Sequence, residues 1–159
     1  MRLRTTGLCL ALATLAACSS APTDQPAAVT GAGGTTASAV IPGSAEDLAQ
    51  NVGDRVFFSL DRSELTAEAK EVLQKQAEWL KQYAALSVVI EGHCDERGTR
   101  EHNFALGERR AHAAKEYLAS LGIDAHRVET ISYGKEKPFV SGSTEEAWAQ
   151  NRVSRTTLK

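Results

Sequence analysis

The sequence predicts an α+β fold, with two main helices packed on one face of a mixed four-stranded sheet. Three observations lead there. Short β-branched or aromatic runs alternate with two long stretches of helical periodicity, in the order β-α-β-α-β-(α)-β. Two helices over one face of a sheet satisfy that order, and any parallel β-α-β crossover is right-handed. The chain has 159 residues and 42% hydrophobic content, which suits one domain with one core.

The N-terminal segment stands apart. Arg2 and Arg4 precede an apolar run from Gly7 to Ala17, the pattern of a signal peptide and too short for a permanent membrane span. Residues 1–17 are therefore expected to be removed. The run closes on Leu15-Ala16-Ala17-Cys18, which looks like a bacterial lipobox and makes Cys18 the expected lipidation site. One acyl chain anchors marginally, at about 0.8 kcal/mol per buried methylene, so stable anchoring requires several chains. By resemblance to Gram-negative lipoproteins, Ser19 in place of Asp favours the outer membrane. Residues 18–50 are expected to be the lipidated N-terminus and a flexible tether. Up to about position 45 they are rich in Ala, Gly, Ser, Thr and Pro and lack aromatics, too little apolar surface to offset chain entropy. Such a tether reaches about 30 Å.

The domain is expected over residues 51–159. Its first strand is predicted in RVFFSL, residues 55–60. A helix follows, with Thr66 as N-cap and Ala69, Val72, Leu73, Gln76, Leu80 and Tyr83 on one face. LSVVIEGH, residues 86–93, is a β-branched strand. The second helix begins near Arg100 and ends at Gly122, a natural residue just past a helix terminus. RVETISYG is a third strand, EEAWAQNR a short helix or turn, and VSRTTLK a last strand of weak alternation.

Charge and cysteine content narrow the function classes. Charged residues make up 24% and the net charge is −2, which offers no electrostatic footprint for nucleic acid. Of the three cysteines, Cys9 lies in the leader and Cys18 is the lipidation site. Cys94 is left alone, so no intrachain disulfide is expected.

The stretch EGHCDERGTREHN, residues 91–103, concentrates the chemistry. His93, Cys94, Asp95 and His102 are possible metal ligands. Neighbours on a strand point to opposite faces, however, and no CxxC or HExxH spacing is present, so no metal or other cofactor is expected. The same geometry disfavours Cys94 as a nucleophile with His93 as base. Cys94 reads as a small buried hydrophobe, the two histidines as polar rim residues, and residues 96–99 as a tight polar turn with Gly98 at positive φ. In the helix that follows, Leu106, Ala113, Tyr117 and Leu121 form the expected core stripe, and Arg110 falls inside it. A guanidinium there is costly unless paired and hydrogen-bonded. Asp95 is the expected nearby carboxylate, and Asn103 shares the stripe. Arg, Asp and an amide at the rim of a core suit a zwitterion, Arg taking a carboxylate and Asp an ammonium. An internal Arg110–Asp95 pair without a ligand is an equal alternative on these grounds.

The stretch GHCDERGTREHNFALGERRA resembles the signature of the OmpA-like peptidoglycan-binding family. The lipobox, tether, FFSLDRSELT, GIDAHRVETISYGKEKP and EEAWAQNR extend the likeness to the lipoproteins of the Tol–Pal system. The resemblance implies an α/β sandwich and no enzymatic activity. It implies non-covalent binding of the diaminopimelate residue of the peptidoglycan stem peptide, with the family's Asp falling on Asp95, its Arg on Arg110, its Asn on Asn103 and its pocket Leu on Leu106. A second acid falls on Asp61. The implied partners are peptidoglycan, the outer membrane through Cys18, and the periplasmic propeller protein of the Tol system. The implied role is to tie the outer membrane to the wall, especially during division. The sequence departs from the family's pattern at His102, often aromatic, at Leu60 before Asp61, and at Val153, where a second Arg is usual.

Overall fold

The computed structural model describes residues 40–159. The expected signal peptide, Cys18 and most of the expected tether lie outside the described residues. Among the described residues no helix is long and apolar enough to cross a membrane.

The folded unit begins earlier than the expected boundary at residue 51. A short helix α1, Ala45–Asp47, is capped by the Ser44 hydroxyl and runs into a π-helical turn, Leu48–Val52. Leu48 is buried in the core, and Trp79 Nε1 donates to Asp47 Oδ2 at 2.8 Å. The segment carries one core side chain and one polar anchor, which gives no periodic signal in the sequence.

Strand β1, Arg55–Phe57, stops three residues short of the expected run. Helix α2, Ala67–Gln82, starts at the expected cap, with Thr66 Oγ1 accepting from the Ala69 N–H at 3.2 Å. It buries Ala69, Leu73, Gln76, Ala77, Trp79 and Leu80. Gln76 is buried among apolar neighbours because both ends of its amide are used. Nε2 donates to the Gly53 carbonyl at 2.7 Å and Oε1 accepts from Thr156 Oγ1 at 2.8 Å.

Strand β2, Val88–His93, leads to helix α3, Arg100–Ser120, then to strand β3, Val128–Gly134. Helix α4, Glu145–Asn151, precedes strand β4, Val153–Leu158. The sheet order is β1-β4-β2-β3, with β2 parallel to β3 and β4 antiparallel to both β1 and β2. The polar last segment is therefore a central strand. Val153, Ser154 and Thr156 are buried in it, which the weak alternation of VSRTTL does not announce.

The buried face of α3 is rotated from the expected stripe. Asn103, Leu106 and Arg110 are on it, but Gly107, Ala111, Ala114 and Leu118 complete it, while Ala113 and Tyr117 are only half-buried. The cause is a close approach of helix and sheet. A Cβ on Gly92 of β2 would lie 1.9 Å from the Gly107 carbonyl oxygen. Small residues at 107, 111 and 114 let α3 lie directly on β2 and β3. The helix ends as Gly122 suggests. Gly122, at φ +91°, donates to Ala119 and the Ile123 N–H donates to Leu118, closing the last turn with Ile123 packed in the core beside Leu118.

Candidate functional site

Strand β2 delivers its last residues to the end of the sheet, where the chain turns through residues 94–99 into α3. The Cys94 N–H donates to the Gly134 carbonyl at 2.8 Å, which continues the pairing of β2 with β3 by one residue. Gly98 takes φ +90°, and Thr99 caps α3 by accepting from the His102 N–H at 3.2 Å. Asn103 ties the turn to the helix, its Nδ2 donating to the Arg97 carbonyl at 2.7 Å and the Thr99 carbonyl at 3.0 Å.

The five predicted site residues, Asp61, Asp95, Asn103, Leu106 and Arg110, line one cavity of about 310 Å³ at this end of the sheet. Arg97 lines it as well. Arg110 is 0% exposed, and its donors go to the backbone. Nε reaches the Arg62 carbonyl at 2.8 Å, Nη1 the His93 carbonyl at 2.8 Å, and Nη2 the Ser59 carbonyl at 3.1 Å. Nη1 also meets Cys94 Sγ at 3.4 Å, and the guanidinium lies 5.1 Å from the Phe58 ring centre. Burial lowers the Arg110 pKa from its ordinary value. The loop after β1 and the end of β2 are thus pinned to α3 by one side chain.

Asp95 is buried but faces other partners than the sequence suggests. Arg97 Nη2 meets Oδ2 at 2.6 Å, Arg97 Nε meets Oδ1 at 3.3 Å, and the Arg97 backbone N–H donates to Oδ1 at 3.1 Å. Arg152, at the end of α4, adds a contact to Oδ2 at 3.5 Å. Burial pushes the Asp95 carboxyl up, but the hydrogen bonds from Arg97 and Arg152 outweigh it and hold the pKa below the ordinary carboxylate range. Asp95 and Arg110 share the cavity without forming the internal pair. Asp61 sits in the left-handed region at φ 52° and accepts from His102 Nε2, 2.8 Å away.

His102 is exposed at the rim, as expected. His93 is not a rim residue. It is 2% exposed, with its ring against Tyr133 and Phe139 and Nδ1 facing the Lys137 carbonyl at 3.0 Å. Residues 133–139 cover this side of β2, and no local signal around His93 announces a segment forty residues downstream. Burial lowers the His93 pKa. Cys94, on the other side of the strand, is buried as expected, and burial pushes its thiol up to about 11. A neutral thiol without an adjacent base is no nucleophile at neutral pH. Among the described residues no three His, Cys, Asp or Glu side chains gather to hold a metal ion.

Arg97, Arg152, Trp148 and Glu145 were not singled out from the sequence. Arg97 lies over the Trp148 ring at 4.1 Å, with Nη1 3.6 Å from Glu145, while Arg152 Nη2 meets Glu145 at 2.9 Å. Arg97 stands two residues after Asp95, the spacing at which an Asp accepts from a backbone N–H, so its presence beside Asp95 was readable. Arg152 comes from 57 residues away, and a seven-residue helix has too little periodicity to place it.

A model of the OmpA family matches residues 57–152, more than half of the chain. The chain is 48% identical over 149 residues to a peptidoglycan-associated lipoprotein of Mesorhizobium japonicum, covering 94% of this chain and 88% of that one. It belongs to the OmpA family, among the peptidoglycan-associated lipoproteins. A peptidoglycan-associated lipoprotein of Haemophilus influenzae is 44% identical over 142 residues, 89% of this chain and 88% of that one. The crystal structure of the Burkholderia pseudomallei peptidoglycan-associated lipoprotein superimposes with a TM-score of 0.66 at 35% identity, covering 71% of this chain and 100% of that one. The C-terminal domain of Helicobacter pylori MotB shares the fold at a TM-score of 0.62 and 15% identity, covering 67% of this chain and 84% of that one. As a member of this family the domain is a non-enzymatic module.

Proposed function

We propose that the domain binds peptidoglycan non-covalently through the diaminopimelate residue of the stem peptide. In this reading a lipid on Cys18 holds the protein to the outer membrane, so that it links membrane and wall from the periplasmic side. The observation that carries the reading is the single cavity on which Asp61, Asp95, Asn103, Leu106 and Arg110 converge. It presents both signs of charge around an apolar wall, which suits a ligand ending in an ammonium and a carboxylate on a short aliphatic stem. Arg110 supplies fixed positive charge for the carboxylate, and Asp95 and Asp61 supply negative charge for the ammonium. Leu106 packs on the methylenes. Asn103 Nδ2 is committed to the turn, and its Oδ1 remains as an acceptor. Membership among the peptidoglycan-associated lipoproteins supports the same reading and a place in the Tol–Pal system beside the periplasmic propeller protein.

The test uses purified sacculi and soluble stem peptides. The protein is expected to co-sediment with sacculi without releasing soluble fragments. A diaminopimelate-containing stem peptide is expected to shift the NMR signals of residues 95–106 and of Asp61. A stem peptide with lysine in place of diaminopimelate lacks the terminal carboxylate and is expected to leave them in place. Equal responses to both peptides refute the diaminopimelate reading, and failure to co-sediment refutes wall binding altogether.

A further inference from the structure

Asp95 already holds a cation. Both of its oxygens are engaged by Arg97, at 2.6 Å and 3.3 Å, and only 4% of the residue is exposed. The two oxygens differ in their other partners. Oδ1 takes the Arg97 backbone N–H, and Oδ2 takes the more distant Arg152. An amino group entering the cavity competes for this carboxylate with the Arg97 guanidinium, which meets both oxygens.

The guanidinium has a second set of partners within reach. Its face lies 4.1 Å from the centre of the Trp148 ring, and Nη1 is 3.6 Å from Glu145. Trp148 is fixed in turn by Glu96, which accepts from its Nε1 at 3.0 Å. The Arg97 side chain is one-third exposed, whereas Arg110 is fully buried. A long side chain stacked on an aromatic face, beside a second carboxylate, can leave Asp95 by rotation about its own bonds while keeping its charge paired.

We propose that Arg97 is a specificity-determining residue of this cavity: an internal competitor for Asp95 that the ligand's amino group displaces onto Trp148 and Glu145. The inference rests on the reading of the cavity as a zwitterion site. It assigns the site a selection rule, because a ligand must bring its own positive charge to replace the guanidinium. A ligand with a carboxylate alone leaves Arg97 in place.

The experiment follows the side-chain Nε–H signal of Arg97 by NMR while a soluble diaminopimelate-containing stem peptide is added to the protein. The Arg97 signal is expected to move together with the amides of Asn103 and Leu106. In the Arg97→Gln variant, checked for a native amide spectrum, the same peptide is expected to bind about tenfold tighter, since one charge-assisted competitor is gone. Movement of Asn103 and Leu106 with a stationary Arg97 signal overturns the inference alone. So does unchanged or weaker binding by a natively folded Arg97→Gln. No response of any wild-type signal overturns the zwitterion reading and this inference with it.

Discussion

The two arginines that line the cavity are held in opposite ways. Arg110 comes from the middle of α3 and gives its donors to three backbone carbonyls, from Ser59, Arg62 and His93. Arg97 comes from the turn after β2, and its guanidinium is held by side chains, Asp95, Glu145 and Trp148. A cation bound to carbonyls of a loop and of a strand end is part of the frame, since moving it strands three acceptors in the interior. A cation held by side chains, with a third of its own side chain exposed and a second carboxylate beside it, has another partner to turn to. One wall of the cavity is thus rigid and the other is adjustable.

The contrast breaks down first if Arg110 is dispensable to folding. Arg110→Ala is expected to lose about 3 kcal/mol or more of stability in urea unfolding, because three buried carbonyls lose their donor at about 1–3 kcal/mol each. A loss too small to measure would remove Arg110 from the frame. Gly92→Ala tests the same rigid side without touching charge. Its new methyl would lie 1.9 Å from the Gly107 carbonyl oxygen, so α3 must lift from β2. A cost near the upper end of overpacking, about 3 kcal/mol, is expected in the same assay.

Acid separates the two sides by their pH windows. The folded-state pKa of His93 is depressed by burial, so the unfolded chain takes up that proton first. Stability is expected to fall as pH drops through the ordinary histidine range, near 6.5, and the drop should vanish in His93→Gln. The Asp95 carboxyl is also depressed, but its contribution is present above the ordinary carboxylate pKa and is lost only as pH falls below about 4. Urea midpoints measured from pH 7.5 down to about 2 should show two separate declines. The smallest effect belongs to Cys94. Its thiol sits at about 11, so a thiol reagent at pH 8 should label the native protein far more slowly than the unfolded chain.

Much of this frame was legible in the sequence, and for physical reasons. Thr66 and Gly122 announce helix ends because caps are local chemistry. Arg110 announced itself because a guanidinium on a core stripe demands partners. The identity of those partners was not legible. The carbonyls of Ser59 and Arg62 carry no sequence signature, so the eye goes to the nearest carboxylate, Asp95, which is held by other residues. The rotation of the α3 stripe escaped for a similar reason. A wheel centred on Leu106 does not know that Gly107 must touch Gly92. Residues 45–50 read as tether because a single turn holding one leucine lies below any periodic signal. His93 was misplaced at the rim because its cover is distant in sequence.

The placement of β4 has a consequence for the order in which the molecule is made. Strand β4 follows β1, β2 and β3 in the chain yet lies between β1 and β2, pairing Arg55 with Arg155 and Gly92 with Ser154. Until it arrives, β1 has no neighbour in the sheet, and Arg152 cannot reach Asp95. A nascent chain lacking β4 therefore cannot close its sheet, however long it waits. Contacts of such wide separation make folding slow, because loop closure precedes any reward. A chain that emerges in order is thus kept from closing its sheet until β4 is made.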